Sequence, residues 1–166
     1  MITVEEFMTA DPYTLLDSNS LNDARRVMTE RHIRHIPIID NDKHLIGLIT
    51  QRDVLAATDP GSRQQTRSSP QLGDTDIKLS DIMITDVSVI HKTDSLRQAA
   101  LYIQSHKYGC LPVISEEGLI GIITDSDFID IAINLLEQAE VLEEEVAIAI
   151  EDEIDDVDLL EYEETQ

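Results

Sequence analysis

A chain of 166 residues with a formal net charge of −22 can bury one good core or two small ones. Its single cysteine, Cys110, excludes an internal disulfide and fits a reducing compartment. Residues 1–107 hold all 12 Lys and Arg against 15 acids, whereas residues 108–166 hold 19 acids and no Lys or Arg; such a block repels nucleic acid and anionic lipid, and four Tyr, two Phe and no Trp supply no base-stacking surface.

In chain order, the N-terminus "MITVEEFMTA" has neither a basic n-region nor a long apolar run, so it does not read as a signal peptide. No apolar stretch reaches the ~18 residues of a membrane span; the longest, around 111–124, is broken by Ser115, Glu116 and Glu117. A soluble cytoplasmic protein without membrane contact is expected. The opening "EEFMTADP" is a short amphipathic segment carrying Met8, and "YTLL" after it is extended. Ser20 and Asp23 have the spacing of a capping box. They start a helix whose Leu21, Ala24, Val27 and Met28 share one face. "HIPIID" reads as a strand whose Pro37 suits an edge or a strand start, "DNDK" as a hairpin turn, and "LIGLIT" as a strand buried on both faces. The helix "QRDVLAA" follows at once. Residues 58–76, "TDPGSRQQTRSSPQLGDTD", have almost no apolar content and read as a flexible linker.

The same series then recurs as "LSDIMITD", "VSVI", a helix from Ser95 with Gln98 as its cap pair, "CLPVIS", "EEG", "LIGIIT" and "DSDFIDIAINLLEQAE". Leu96, Ala99, Ala100 and Ile103 share a face of that helix. Met8 maps to Met83, Leu21 to Leu96, Ala24 to Ala99 and Pro37 to Pro112, each 75 apart. Beyond Pro112 the offset is 74, taking Gly47 to Gly121, Thr50 to Thr124 and Asp53 to Asp127. One residue has been lost in a turn, where loss is cheapest. The expected fold is α/β (α+β): two β-α-β-β-α repeats, 1–57 and 77–132, packed with pseudo-twofold symmetry. Residues 133–166 read as a helical stretch passing into an acidic tail. Within it, "VLEEEVAIAIEDEIDDVDLLEY" is either an amphipathic continuation of the last helix or disordered.

The sharpest motif is Gly-hydrophobic-hydrophobic-Thr-x-x-Asp at 47–53 and again at 121–127, on a strand-to-helix turn. Thr50 and Thr124 sit near helix N-caps, beside N–H groups without helical partners, a place that favours phosphate. Asp53 and Asp127 lie one turn on, where a carboxylate can accept hydrogen bonds from a vicinal diol such as ribose. Thr-x-x-Asp is also an ordinary capping box; its duplication in one strand–turn–helix context favours a site.

These motifs, the Met at each repeat start and the Pro-containing strand resemble the cystathionine-β-synthase (CBS) domain, and the pair resembles a CBS-pair or Bateman module over about residues 1–132. The resemblance implies sheets packed about a pseudo-twofold axis, with clefts that bind adenine nucleotides or related adenosyl ligands. By resemblance, Thr50 and Thr124 contact phosphate, and Asp53 and Asp127 hold ribose hydroxyls. Adenine contacts pass to Thr14, Leu15, Ile36 and Pro37, and to Ser88, Val89, Leu111 and Pro112. The first site carries Arg52 in its motif, with Arg34 and His35 before the Pro strand, and so can neutralise a polyphosphate. The second carries Asp125 and Ser126, and Gly109–Cys110 in place of Arg34–His35. Asp125 there repels phosphate unless a cation bridges them, with Lys107 and His106 as partial compensation.

Cys110, in an apolar strand, reads as core. The five His show no metal spacing, and the 14 acids from Glu137 onward read as a solubilising or docking tail. No Ser/His/Asp or Cys/His arrangement and no P-loop is present, so no catalysis is expected. The reading is a CBS pair, alone in this sequence, that binds AMP, ADP or ATP, with Mg²⁺ accompanying ATP. It would form a homodimer and signal energy state to an unidentified protein target. Its rivals are a ligand-free interaction module with an acidic docking tail and a sensor of divalent cations.

Overall fold

The computed structural model describes residues 1–58 and 77–163, with side chains of the last helix to residue 150. The expected linker therefore lies, beyond Thr58, outside the described residues. Two compact units result, Met1–Asp125 and Ser126–Gln166.

The first unit holds the first repeat and the second as far as the start of its last helix, in the expected α/β order. β1 (Thr9–Ala10), β2 (Leu15–Leu16), α1 (Leu21–Arg31), β3 (His35–Ile39), β4 (Leu45–Thr50) and α2 (Gln51–Thr58) come from the first. β5 (Ile90–His91), α3 (Leu96–His106), β6 (Cys110–Ser115) and β7 (Gly118–Thr124) come from the second, and α4 (Asp125–Glu163) starts at once. The strands form a sheet β2-β3-β4 and a sheet β1-β7-β6-β5. β3 and β4 pair antiparallel with Ile36 opposite Ile49, and β6 and β7 with Leu111 opposite Ile123. The register shifts at Ile38/Ile39 and again at Val113/Ile114, which are 75 apart. The lost residue lies in the turn between these strands: eight residues separate the paired Ile38 and Gly47, and seven the paired Val113 and Gly121.

Helix α1 begins with the expected box: Asp23 N–H donates to Ser20 Oγ at 3.2 Å and Ser20 N–H to Asp23 Oδ2 at 2.9 Å. The Ser20 N–H and the Ser20 hydroxyl, which also donates to Asp23 Oδ2, hold that carboxyl below its usual range. Ser95 makes no such side-chain bond. Leu21, Ala24 and Met28 are buried on α1, and Leu96, Ala99 and Ile103 on α3. Each such side chain contributes about 1.5–3 kcal/mol when large and fully buried. Both helices end on a left-handed residue 75 apart, His32 (φ 54°) and Lys107 (φ 55°).

Each repeat's opening segment crosses to the other repeat, which the contiguous β-α-β-β-α reading did not anticipate. β1 pairs antiparallel with β7, setting Ala10 opposite Gly121. In return Ile84 pairs with Leu48 of β4, by N–H···O bonds of 2.8 and 2.9 Å. Val4, fully buried, docks at α3 through Val4 N–H to Asp94 O, and Leu79, also fully buried, docks at α1 through Leu79 N–H to Asn19 O, both at 2.9 Å. The repeated Met and Gly explain each other: a Cβ on Gly47 would lie 2.5 Å from Met83 Sδ, and one on Gly121 2.5 Å from Met8 Sδ.

The second unit is α4 beyond Asp125. It continues as helix to Glu163, and leaves Leu135, Leu142, Val146 and Ile150 among its exposed apolar side chains. No helix of the described residues is long and apolar enough to cross a membrane.

Gly47→Val places branched carbons against Met83 Sδ and against Ile84 O, 3.1 Å from the Cβ position. Overpacking of this kind costs about 1–3 kcal/mol. In urea unfolding, Gly47→Val is expected to lose that much, and Gly47→Val/Met83→Ala less than the two single losses combined. Strict additivity would mean that the Met–Gly contact does not carry the exchange.

Candidate functional site

The turn from β4 into α2 carries Thr50-Gln51-Arg52-Asp53. Thr50 N–H and Oγ1–H both donate to Asp53 Oδ2, at 2.8 and 2.6 Å, and Asp53 N–H donates to Thr50 Oγ1 at 3.3 Å. The spacing thus forms a capping box. Among the described hydrogen bonds all those accepted by this carboxylate fall on Oδ2, so Oδ1 remains an acceptor held in a fixed orientation.

A cavity of about 840 Å³ opens at this turn, within the range of small-molecule sites. The first repeat lines it with Arg34, His35, Thr50, Arg52 and Asp53. The second contributes Asp86 and Ser88 from its crossing segment, Lys107, Tyr108, Gly109 and Cys110 from the α3–β6 junction, and Asp125 from the first position of α4. The Ile84–Leu48 pairing brings residues 84–88 to the turn. One cavity therefore gathers residues that the sequence divided between two sites.

The two junctions are tied alike: Gln51 N–H donates to Arg34 O at 2.8 Å, and Asp125 N–H to Gly109 O at 3.0 Å. Gly109 has no room for a Cβ, which would collide with the His35 imidazole. Burial is the main cause that lowers the His35 pKa from its ordinary 6.5, opposed by the charges of Asp125 and Asp53 and reinforced by Arg34. Burial also pushes the Cys110 thiol up to about 12, with Asp125 adding to it, in keeping with the core role expected for this residue. Arg34 Nη2 stands 3.6 Å from Asp125 Oδ1. Both side chains are partly exposed, so the pair contributes at most about 1 kcal/mol to stability.

Tyr108, which the sequence reading passed over, lends the wall an aromatic face. Its ring lies 5.4 Å from His106, which stacks on Tyr102 at 4.2 Å, and its hydroxyl accepts from Ser88 Oγ at 3.4 Å. The available signal was position: Tyr108 follows the left-handed Lys107 that ends α3.

Of the other expected contacts, Ile36, Pro37, Leu111 and Pro112 are fully buried in β3 and β6, so only their backbone could face a ligand. Thr14 is half-buried before β2, and Leu15 packs on the core around Leu21. Val89 lines a second, smaller cavity of about 340 Å³ with His44 and Glu116. Thr124 ends β7; Ser126 and Asp127 lie in the first turn of α4. The β3–β4 turn brings ligand atoms of Asp40, Asp42 and His44 within 4.8 Å of one another. The hydrogen bonds of the turn account for that grouping: Asp40 Oδ1 accepts the N–H groups of Asp42 and His44, both at 2.9 Å.

A lowered His35 pKa means that the folded state binds this proton less readily than the unfolded chain. The corresponding stability is present above about pH 6.5 and lost as pH falls below it. Thermal melts should show a fall in Tm between about pH 7 and 5.5 that is smaller in His35→Gln. An equal fall in the variant would remove His35 as its cause.

The family model described as "CBS domain" matches residues 4–59 and 79–134. A Vibrio cholerae protein assigned to acetoin utilization (AcuB) superposes with a TM-score of 0.71 at 46% identity, covering 84% of this chain and 96% of that one. CBSX2, solved in complex with AMP, superposes at 0.68 with 24% identity, covering 81% and 98%. The CBS domain-containing protein DDB_G0289609 of Dictyostelium discoideum is 30% identical over 141 residues, 82% of this chain and 94% of its own length. The chain spans only 23% of a homoserine O-acetyltransferase from Methanocorpusculum labreanum, to which it is 30% identical over 124 residues, so that enzyme's name describes a far longer protein.

Proposed function

Because the chain belongs to the CBS-domain family and carries two such domains in tandem, we propose that it is a non-catalytic regulatory module whose cavity binds an adenosine-based ligand. The observation that carries this reading is the convergence of the oriented Asp53 carboxylate, the Thr50 turn, and the hydroxyl and aromatic groups of Ser88 and Tyr108 on one cavity. A carboxylate oxygen suits a ribose diol, an aromatic face suits a purine, and the α2 start with Arg52 suits phosphate. A relative of the same fold is solved with AMP, which supports the class of ligand. AMP, ADP and ATP are the nucleotides proposed, Mg²⁺ accompanying ATP.

Signalling follows from the cavity's construction from both repeats. A ligand that touches both favours one arrangement of them, and only as far as its affinity differs between arrangements. The reading includes a homodimer in the cytoplasm acting on a separate protein target. Light scattering would test the dimer, with a monomeric mass counting against it.

Asp53→Ala is expected to weaken adenosine binding by about 1.5–3 kcal/mol and to abolish the preference for adenosine over 2′-deoxyadenosine seen with the unaltered chain. Loss of the helix cap alone would weaken both ligands equally. Calorimetry with the two nucleosides separates these outcomes, and unchanged binding in Asp53→Ala would refute the ribose assignment.

A further inference from the structure

We infer that Asp125 is a charge filter on this cavity, favouring adenosine derivatives with no more than one phosphate, or with a cationic substituent, over polyphosphates. The inference rests on the adenosine-binding reading above and sharpens it. By sequence, Asp125 belongs to the second motif; in the fold it lines the cavity of the first. There Arg34, Arg52 and Lys107 face Asp53, Asp86 and Asp125, so the formal charges cancel. Arg34 already has Asp125 at 3.6 Å. A further potential cation, His35, is kept towards its neutral form by burial. Although the Asp125 side chain is about half exposed, its Oδ1 is closed to solvent and has no hydrogen-bond donor. Its backbone is pinned by the bond to Gly109 O. A phosphate that reaches Arg34 must therefore approach the Asp125 carboxylate beside it, and repulsion at such range is worth roughly tenfold in affinity, growing with each phosphate added.

The test is calorimetry without divalent cations, using adenosine, AMP and ATP on the unaltered chain and on Asp125→Asn. Asp125→Ser serves as a second variant should the first fail to fold, as judged by circular dichroism. The unaltered chain should bind adenosine and AMP at least as tightly as ATP. Asp125→Asn should tighten ATP by about tenfold or more, AMP by less and adenosine by under about twofold, and adding Arg34→Gln should cancel the gain for ATP. An ATP-to-adenosine ratio unchanged by Asp125→Asn, or ATP the tightest ligand of the unaltered chain, overturns the filter while the adenosine reading stands. No binding of any of the three overturns both.

Discussion

The rest of the structure depends on the reciprocal exchange of the two opening segments. Each lays a methionine over a glycine of the other repeat's last strand, Met8 on Gly121 and Met83 on Gly47. Each also pairs its backbone with that strand: β1 with β7, and Ile84 with Leu48. The clasp continues outward through Glu5 N–H to Lys92 O at 3.0 Å and the Lys92–Glu5 ion pair at 3.1 Å. Backbone groups at these strand edges would otherwise lack partners. Neither repeat therefore completes its own sheet, and the two fold as one unit.

The cavity is a consequence of that exchange. The segment that brings Ile84 to Leu48 also carries Asp86 and Ser88 to the β4–α2 turn, so a site begun by the first repeat is finished by the second. Its chemistry reuses a structural device. The hydrogen bonds from Thr50 that cap α2 also fix the Asp53 carboxylate, which lowers the ordering cost when a ligand binds. The backbone at Asp125 is tied through its N–H to Gly109 O, as Gln51 N–H ties to Arg34 O in the first repeat.

Much of this was legible from spacing. The 75-residue offset located the strands, the buried helix faces of Leu21 and Leu96, and the lost turn residue, because periodicity and turn chemistry are local. The Thr50–Asp53 pair was legible for the same reason. The crossing of the opening segments was not, since Met8 and Gly121 lie 113 positions apart and nothing local records their contact. The same blindness assigned Asp125, Lys107 and Cys110 to a second site, although they line the cavity that holds Asp53. Tyr108 escaped notice because its repeat counterpart, Ile33, is aliphatic. Ser95 and Gln98 matched a capping pattern whose side-chain bond the fold does not form, because spacing alone does not set the Ser95 rotamer.

The central claim, that one cavity built by both repeats holds an adenosine-based ligand, is tested most directly by photolabelling with 8-azidoadenosine and mapping the modified residues by mass spectrometry. The expected result is label on residues 84–88 and 103–110, suppressed by excess adenosine. Label confined to residues that do not line the cavity, or label that adenosine does not suppress, would contradict it.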